Sequence, residues 1–347
     1  SEPGRVWMSL DGAPREQSVI VCDGSEHEPR EAMRFLAAGE HRLSVWCEGD
    51  GSLDSIVVRA IPELLYNASL HPIVGEYGSY DAQFLEKDVL RNVNGIVGGF
   101  EEAQRPFIEV WKKQGKKWIS EHTAPWVNPR TGQPTGSTEE MYGLIREKPG
   151  FEDALLAGVV LDTFDVSHDR RYQFFTDAVR RIQANEEFRN KSLYCYCDCL
   201  YGAQMSETFA RTLINGGYHL VWTRYLHEQP TEEEARSFVA ASLADEAVGW
   251  EEALPGSIER MIVALGYLTS PGERMDVEPG ANYLVYMDMQ CNLLANHPAF
   301  SGLYGVMWYK SHYAEEEAVR WAGRLFRHYF IEGNREMLSK DPYALTH

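Results

Sequence analysis

Short apolar runs and longer amphipathic stretches alternate along residues 89–347. "NGIVGGF" precedes "EEAQRPFIEVWKKQG", "KKWISEH" precedes "TEEMYGLIREK", and "LLAGVVLDTFD" precedes "RRYQFFTDAVRRIQANEEF". "SLYCYCD" precedes "SETFARTLING", and "YHLVWTRYL" precedes "TEEEARSFVAASLADEA". "ERMIVALGYL", followed by a loop, then "NYLVYMDMQ" and "LYGVMWYKS" bring the candidate strands to eight, the last leading into "AEEEAVRWAGRLFRHYFIEG". Runs that are apolar throughout fit strands buried on both faces, and the helical stretches between them supply the crossovers that parallel strands require. Eight βα units over this length predict an α/β fold of the (β/α)8 TIM-barrel type. A doubly wound open sheet would be expected to carry a Gly-x-Gly-x-x-Gly turn after its first strand, and "IVGGFEE" offers only a Gly pair.

Residues 1–65 read differently. "VWMSLDG", "QSVIVCDG", "EAMRFLAAGEHRLSVWCEGDG" and "LDSIVVRAI" are short strands punctuated by Gly and Asp, which predicts a small antiparallel β-sandwich segment. Residues 66–88, rich in Pro and Gly, read as linker and lead-in, and 89–347 as the barrel. Cys22 and Cys47 fall in neighbouring predicted strands and could pair in an oxidising compartment. The alternating Cys195, Cys197 and Cys199 share one strand face and read as small apolar residues packed behind it, not as a metal knuckle. Asn67 in "NAS" and Asn190 in "NKS" are glycosylation sequons, a pattern that chance produces readily.

The formal net charge of −19 argues against duplex nucleic acid or an anionic membrane surface as a partner, and a neutral ligand is the simpler expectation. No apolar run approaches the roughly 20 residues of a membrane helix, and "SEPGRVWMSL" lacks the regions of a signal peptide. The expectation is a mature secreted or periplasmic protein, with the cytoplasm as an alternative. No glycine-rich phosphate cradle or His-x-His strand opening is present, so no cofactor and no metal are expected. The oligomeric state is not legible.

Side chains at the carboxyl ends of parallel barrel strands point into the mouth where ligands bind. Reading those ends in order yields Glu121 and His122, Asp162 and Asp165, Asp198, Arg224, Asp288 with Gln290, then Trp308, Tyr309 and Lys310. Carboxylates crowded at one end repel unless protonated, paired or engaged by substrate, and such crowding separates acid strengths as general acid/base catalysis needs. Asp162 stands out because it lies within an apolar strand, on the face of Gly158 and Val160, where a carboxylate is costly without a purpose. Asp162, Glu121 and Asp198 are therefore the catalytic candidates. Asp165, Asp288, His122 and Arg224 are candidates for holding substrate, together with Tyr196, Trp222, Trp308, Tyr309 and Lys310. Aromatic plates beside carboxylates suit sugars, whose rings pair apolar C–H faces with a rim of hydroxyls.

An acidic-mouthed barrel behind a small β-sandwich resembles a glycoside hydrolase. "AAGEHRLSVWCEGDGSLDSIVV" is similar to the closing strands of carbohydrate-binding-type modules. "GEYGSYDAQFL", "NVNGIVGGF", "GVVLDTFD" and "YGVMWYKSHYAEEEAVRW" resemble uncharacterised bacterial barrels that accompany such enzymes. The chain lacks the Asn-Glu strand end of the largest barrel-glycosidase clan and the Asp-rich repeat of chitinase-like barrels. The resemblance implies a poly- or oligosaccharide substrate cleaved by a carboxylate pair. Two alternatives are a barrel that binds glycans without cleaving them and a metal-dependent hydrolase.

Overall fold

A computed structural model describes residues 4–23, 30–36, 38–49, 53–68, 80–309, 313–341 and 343–345. The chain divides into two compact units, Ser1–Ala60 with Pro106–Lys116, and Ile61–Arg105 with Lys117–His347.

The smaller unit carries a three-stranded antiparallel sheet of β1 (Arg5–Leu10), β2 (Ile20–Asp23) and β3 (Leu43–Glu48), in the order β2-β1-β3. Asp11, in the left-handed region, and Gly12 turn the chain out of β1, and the Asp11 carboxylate accepts from the Arg42 backbone N–H at 2.9 Å. The Arg15 guanidinium covers the Trp7 ring, 3.4 Å from its centroid, and reaches Glu48. Residues 53–60 join no strand, and Val57 and Val58 are exposed, so "LDSIVVRAI" does not add to this sheet. Cys22 and Cys47 both lie opposite Val6, on either side of β1. Two strand spacings put them roughly 10 Å apart, beyond the reach of a disulfide of about 7 Å between Cα atoms. The two are therefore not bonded to each other.

The larger unit is a closed barrel of eight parallel strands. In chain order they are β4 (Glu63–Asn67), β5 (Gly95–Gly98), β6 (Lys117–Thr123), β7 (Gly158–Phe164), β8 (Ser192–Cys197), β9 (His219–Arg224), β10 (Met261–Leu265) and β11 (Gly305–Trp308). The barrel is as expected, but two strand assignments change. "ELLYN" is the first barrel strand, so Tyr66 and Asn67 do not belong to a linker. "NYLVYMDMQ" is not a strand. It opens the helix Tyr283–Asn296, whose Asn282 side chain accepts from Leu284 N–H, and which supplies the crossover between β10 and β11. Two other crossover helices begin at side-chain caps followed by acidic residues. Ser137 accepts from Glu140 N–H before helix Thr138–Arg146, and Thr231 from Glu234 N–H before helix Glu232–Val239.

Strand pairing fixes the interior. Because barrel strands tilt, side chains at one height come from alternate strands. The register stacks Leu65, Ile119, Tyr194 and Ile262 in one layer, and Val97, Val160, Val221 and Met307 in the next. Below them come Gly95, Gly158, His219 and Gly305. A Cβ on Gly158 would lie 2.0 Å from the Ser192 carbonyl oxygen, and one on Gly305 2.6 Å from that of Glu63, so neighbouring backbones approach too closely there for any side chain. The Tyr194 ring stacks on His219, which stacks in turn on Tyr304. Beneath lies a buried ion pair, Lys117 Nζ to Glu63 Oε1 at 2.6 Å, with the Tyr194 hydroxyl donating to the same oxygen at 3.2 Å. The closed end of the barrel is thereby plugged.

Candidate active site

Above the apolar layers the same register places Asn67, Glu121, Tyr196 and Ala264 at one height, and Asp162, Thr223 and Tyr309 one step nearer the open end. The barrel interior thus turns polar at its carboxyl ends. Asn67 Nδ2 donates to Glu121 Oε2 at 3.2 Å and to the Tyr196 hydroxyl at 2.6 Å, and the Tyr196 O–H donates to Met307 Sδ at 3.2 Å. Tyr196 is fully buried, and burial, then the charge of Glu121 and also that of Asp162, push its phenol well above the usual tyrosine range. Tyr196 therefore remains a neutral hydroxyl within reach of the fields of both carboxylates.

Asp162 sits on β7 where the pairing to β8 shifts register between Leu161 and Phe164, and the Asp162–Thr163 peptide is cis. Its carboxylate accepts from Thr163 Oγ1 at 2.6 Å. The loop after β6 is tied to this point, because Trp126 Nε1 donates to the Thr163 carbonyl at 2.9 Å while its ring packs on Phe164, Tyr172 and Phe175. An aromatic wall completes the mouth. The Tyr309 ring stacks on Tyr225 at 4.9 Å and meets Tyr196 edge-on at 5.5 Å. Burial and contact with Tyr309 keep the Tyr225 phenol protonated. Gly266, at the end of β10, leaves room for that ring, since a Cβ there would lie 2.5 Å from Tyr225 Cδ1.

The structure thus brings together four of the residues singled out from sequence: Glu121, Asp162, Tyr196 and Tyr309. Glu121, not its neighbour, takes the inward position of β6. His122 points behind the strand, where burial and, secondarily, Lys148 lower its pKa to about 4, and its Nε2 has no hydrogen-bond partner. Trp222 and Trp308 also lie behind the strands, against Trp250 and Phe326, because they occupy the outward positions of β9 and β11. They are core residues, not sugar platforms. Asp198 lies on the rim, 72% exposed and 3.8 Å from Arg224. Arg224 itself is directed outward, over the Trp222 ring and onto the Ser242 carbonyl at 2.6 Å. The Asp165 side chain is exposed beyond β7, and its backbone N–H and carbonyl are both bound to the Tyr172 hydroxyl.

Asp288 requires the largest correction. It lies with Gln290 in the helix Tyr283–Asn296, fully buried, accepting from the Tyr329 hydroxyl and, at 2.7 Å, from Ser339 N–H. Lys310 lies outside the described residues. Cys195 and Cys197 are fully buried and burial raises their thiols, while the Cys199 thiol donates to the Tyr201 carbonyl at 3.5 Å. Among the described residues no cluster of three or more His, Cys, Asp or Glu is arranged to hold a metal ion, and no helix is long and apolar enough to cross a membrane. Sequence reasoning passed over Asn67 and Gly266 as site residues. The signal for Asn67 was an apolar run, "ELLY", that ends in a polar residue just as "GVVL" does.

No protein-family model matches the chain, and no curated protein does. Solved structures do. A GH2 beta-galacturonidase from Eisenbergiella tayi is similar with a TM-score of 0.50 at 12% identity, over 94% of this chain and 66% of that one. A beta-glucuronidase from Faecalibacterium prausnitzii gives 0.44 at 15% identity, over 89% and 55%, and alpha-galactosidase I from Mortierella vinacea 0.45 at 11%, over 80% and 73%. The chain thus spans less than two thirds of the length of the first two. The structural neighbours include glycoside hydrolases, and the shared property at these identities is the fold: an eight-stranded parallel barrel, here with a small antiparallel sheet.

Proposed function

We propose that the chain is a glycoside hydrolase acting on a poly- or oligosaccharide, with Glu121 and Asp162 as its carboxylate pair. The observation that carries this reading is their convergence. Two carboxylates from neighbouring strands, β6 and β7, act on one buried hydroxyl, Tyr196, at the open end of the barrel. Glycoside cleavage requires such a pair. One carboxylic acid gives its proton to the glycosidic oxygen as the C–O bond breaks, and the bonding electrons leave with that oxygen to form an alcohol. The other carboxylate attacks the anomeric carbon or takes a proton from the water that does so, and one water is consumed per bond cleaved. Tyr225 and Tyr309 offer ring faces to the apolar side of a sugar. Asp198 on the rim is suited to hold more distant sugar units.

The test is reducing-end release and aryl-glycoside turnover across a broad panel. On substrates with sugar or alkyl leaving groups, Asp162→Asn and Glu121→Gln should each lower turnover by about 10³-fold or more with the circular dichroism spectrum unchanged. Near-normal turnover of those substrates by Asp162→Asn rejects the assignment, and saturable glycan binding without any bond cleavage by the parent chain makes it a binding protein instead.

A further inference from the structure

We infer that Asn67 is a positioning residue that divides the work of the carboxylate pair, holding Glu121 as the ionised member and leaving Asp162 to donate the proton; the inference rests on the glycosidase reading above. The argument is the difference between the two hydrogen-bond partners. A carboxamide N–H group donates and cannot accept, so Asn67 Nδ2 is matched to Glu121 Oε2 only as an acceptor. The same amide donates to Tyr196, so its two hydrogens are engaged by two members of one layer, and the fully buried Asn67 side chain cannot turn without losing both. Asp162 meets a hydroxyl, Thr163 Oγ1, which can reverse its role and accept from a protonated carboxyl. Asp162 therefore keeps its partner in either protonation state.

Tyr196 on β8, which the same amide holds, lies in the field of Glu121 from β6, Asp162 from β7 and Tyr309 after β11. Burial keeps the Tyr196 phenol protonated. Of two carboxyls serving one site, the one bound by a fixed donor is the one held as an acceptor.

The experiment compares leaving groups. Asp162→Ala should hydrolyse 2,4-dinitrophenyl glycosides within about tenfold of the parent chain, because that leaving group needs no proton, and fall about 10³-fold or more on alkyl or sugar leaving groups. Glu121→Ala should fall on both. The opposite pattern overturns the division of roles. Asn67→Asp places a third carboxylate against Glu121 and should raise the acidic limb of the kcat/KM pH profile by about one unit. Asn67→Ser, which retains a donor, should bring the limb back toward its original position. An unmoved limb in a folded Asn67→Asp variant overturns the positioning role. Should that variant not fold, Asn67→Ser and the leaving-group comparison decide. A parent chain that turns over no glycoside in the panel overturns the glycosidase reading itself, a result distinct from either outcome above.

Discussion

Lys117→Met tests how the barrel tolerates a carboxylate in its interior. The Glu63 side chain is 1% exposed, its Oε1 receives Lys117 Nζ at 2.6 Å and the Tyr194 hydroxyl at 3.2 Å, and its Oε2 has no hydrogen-bond partner. Burial by itself would lower the Lys117 amine, but the charges of Glu63 and Tyr304 together with their hydrogen bonds outweigh it and the pKa lies above the ordinary lysine value. Methionine keeps most of the lysine stem and removes the ammonium, leaving Glu63 with one neutral donor. Breaking a buried pair from one side costs about 3–5 kcal/mol, and the retained Tyr194 bond places the expected loss near the lower figure, about 3 kcal/mol. Urea unfolding at pH 7, followed by circular dichroism, measures it. Adding Glu63→Met removes the stranded charge, and the double variant should recover most of the loss, because an apolar pair of similar volume is often as stable as the ion pair. A loss below about 1 kcal/mol in the single variant, or a double variant no more stable than the single, refutes the reasoning.

Two further outcomes follow from the geometry. Gly266→Ala puts a methyl group 2.5 Å from Tyr225 Cδ1, so the ring must leave its stack on Tyr309, and kcat/KM on an aryl glycoside should fall about tenfold or more; unchanged kinetics would show that this stack is not used. His219, stacked between Tyr194 and Tyr304, has its pKa lowered to about 3, first by burial and then by Lys117. An unfolded histidine titrates near 6.5, so the stability His219 contributes is fully present above that pH and is lost as pH falls toward 3, by about 1.4 kcal/mol per unit. Urea midpoints at pH 7 and pH 5 should therefore differ less in His219→Phe than in the parent chain, and an equal drop in both would remove His219 as the cause.

The barrel was legible because its strands are buried on both faces, which writes them as continuous apolar runs separated by capped amphipathic helices. The same property obscured which side chains face inward. In "VWTR" and "VMWY" nothing in the residue types distinguishes the outward Trp222 and Trp308 from the inward Thr223 and Tyr309, and only the register does so. "KWISEH" showed the same ambiguity between Glu121 and His122. Where a glycine set the parity, as Gly158 did for Val160 and Asp162, the reading from sequence agrees with the interior face observed. "NYLVYMDMQ" misled because a helix covered by neighbours on several sides is apolar almost all round and has no clean 3.6-residue stripe. The strand "ELLYN" was passed over because Pro62 precedes it and glycine-rich sequence follows, so its few apolar residues read as a connection.

Burial alone does not mark a carboxylate as functional, although it drew attention to Asp162. Four acids make the point. Glu63 is as enclosed as a carboxylate can be, yet it faces an ammonium at the plugged end of the barrel, where no ligand has access. Asp288 is fully buried and receives the Tyr329 hydroxyl and Ser339 N–H, so its bonds anchor the C-terminal segment to a helix. Glu121 and Asp162 are only half-buried, lie in the layers next to the open end, and accept from the Asn67 and Thr163 side chains. The useful criterion is an accessible position at the open end of the barrel, since an acid sealed beneath the core or within a helix packing cannot reach a substrate. By that criterion the pair at the mouth is separated from every other enclosed acid described in the barrel interior, and variants of Glu63 or Asp288 should alter stability where variants of Glu121 and Asp162 alter turnover.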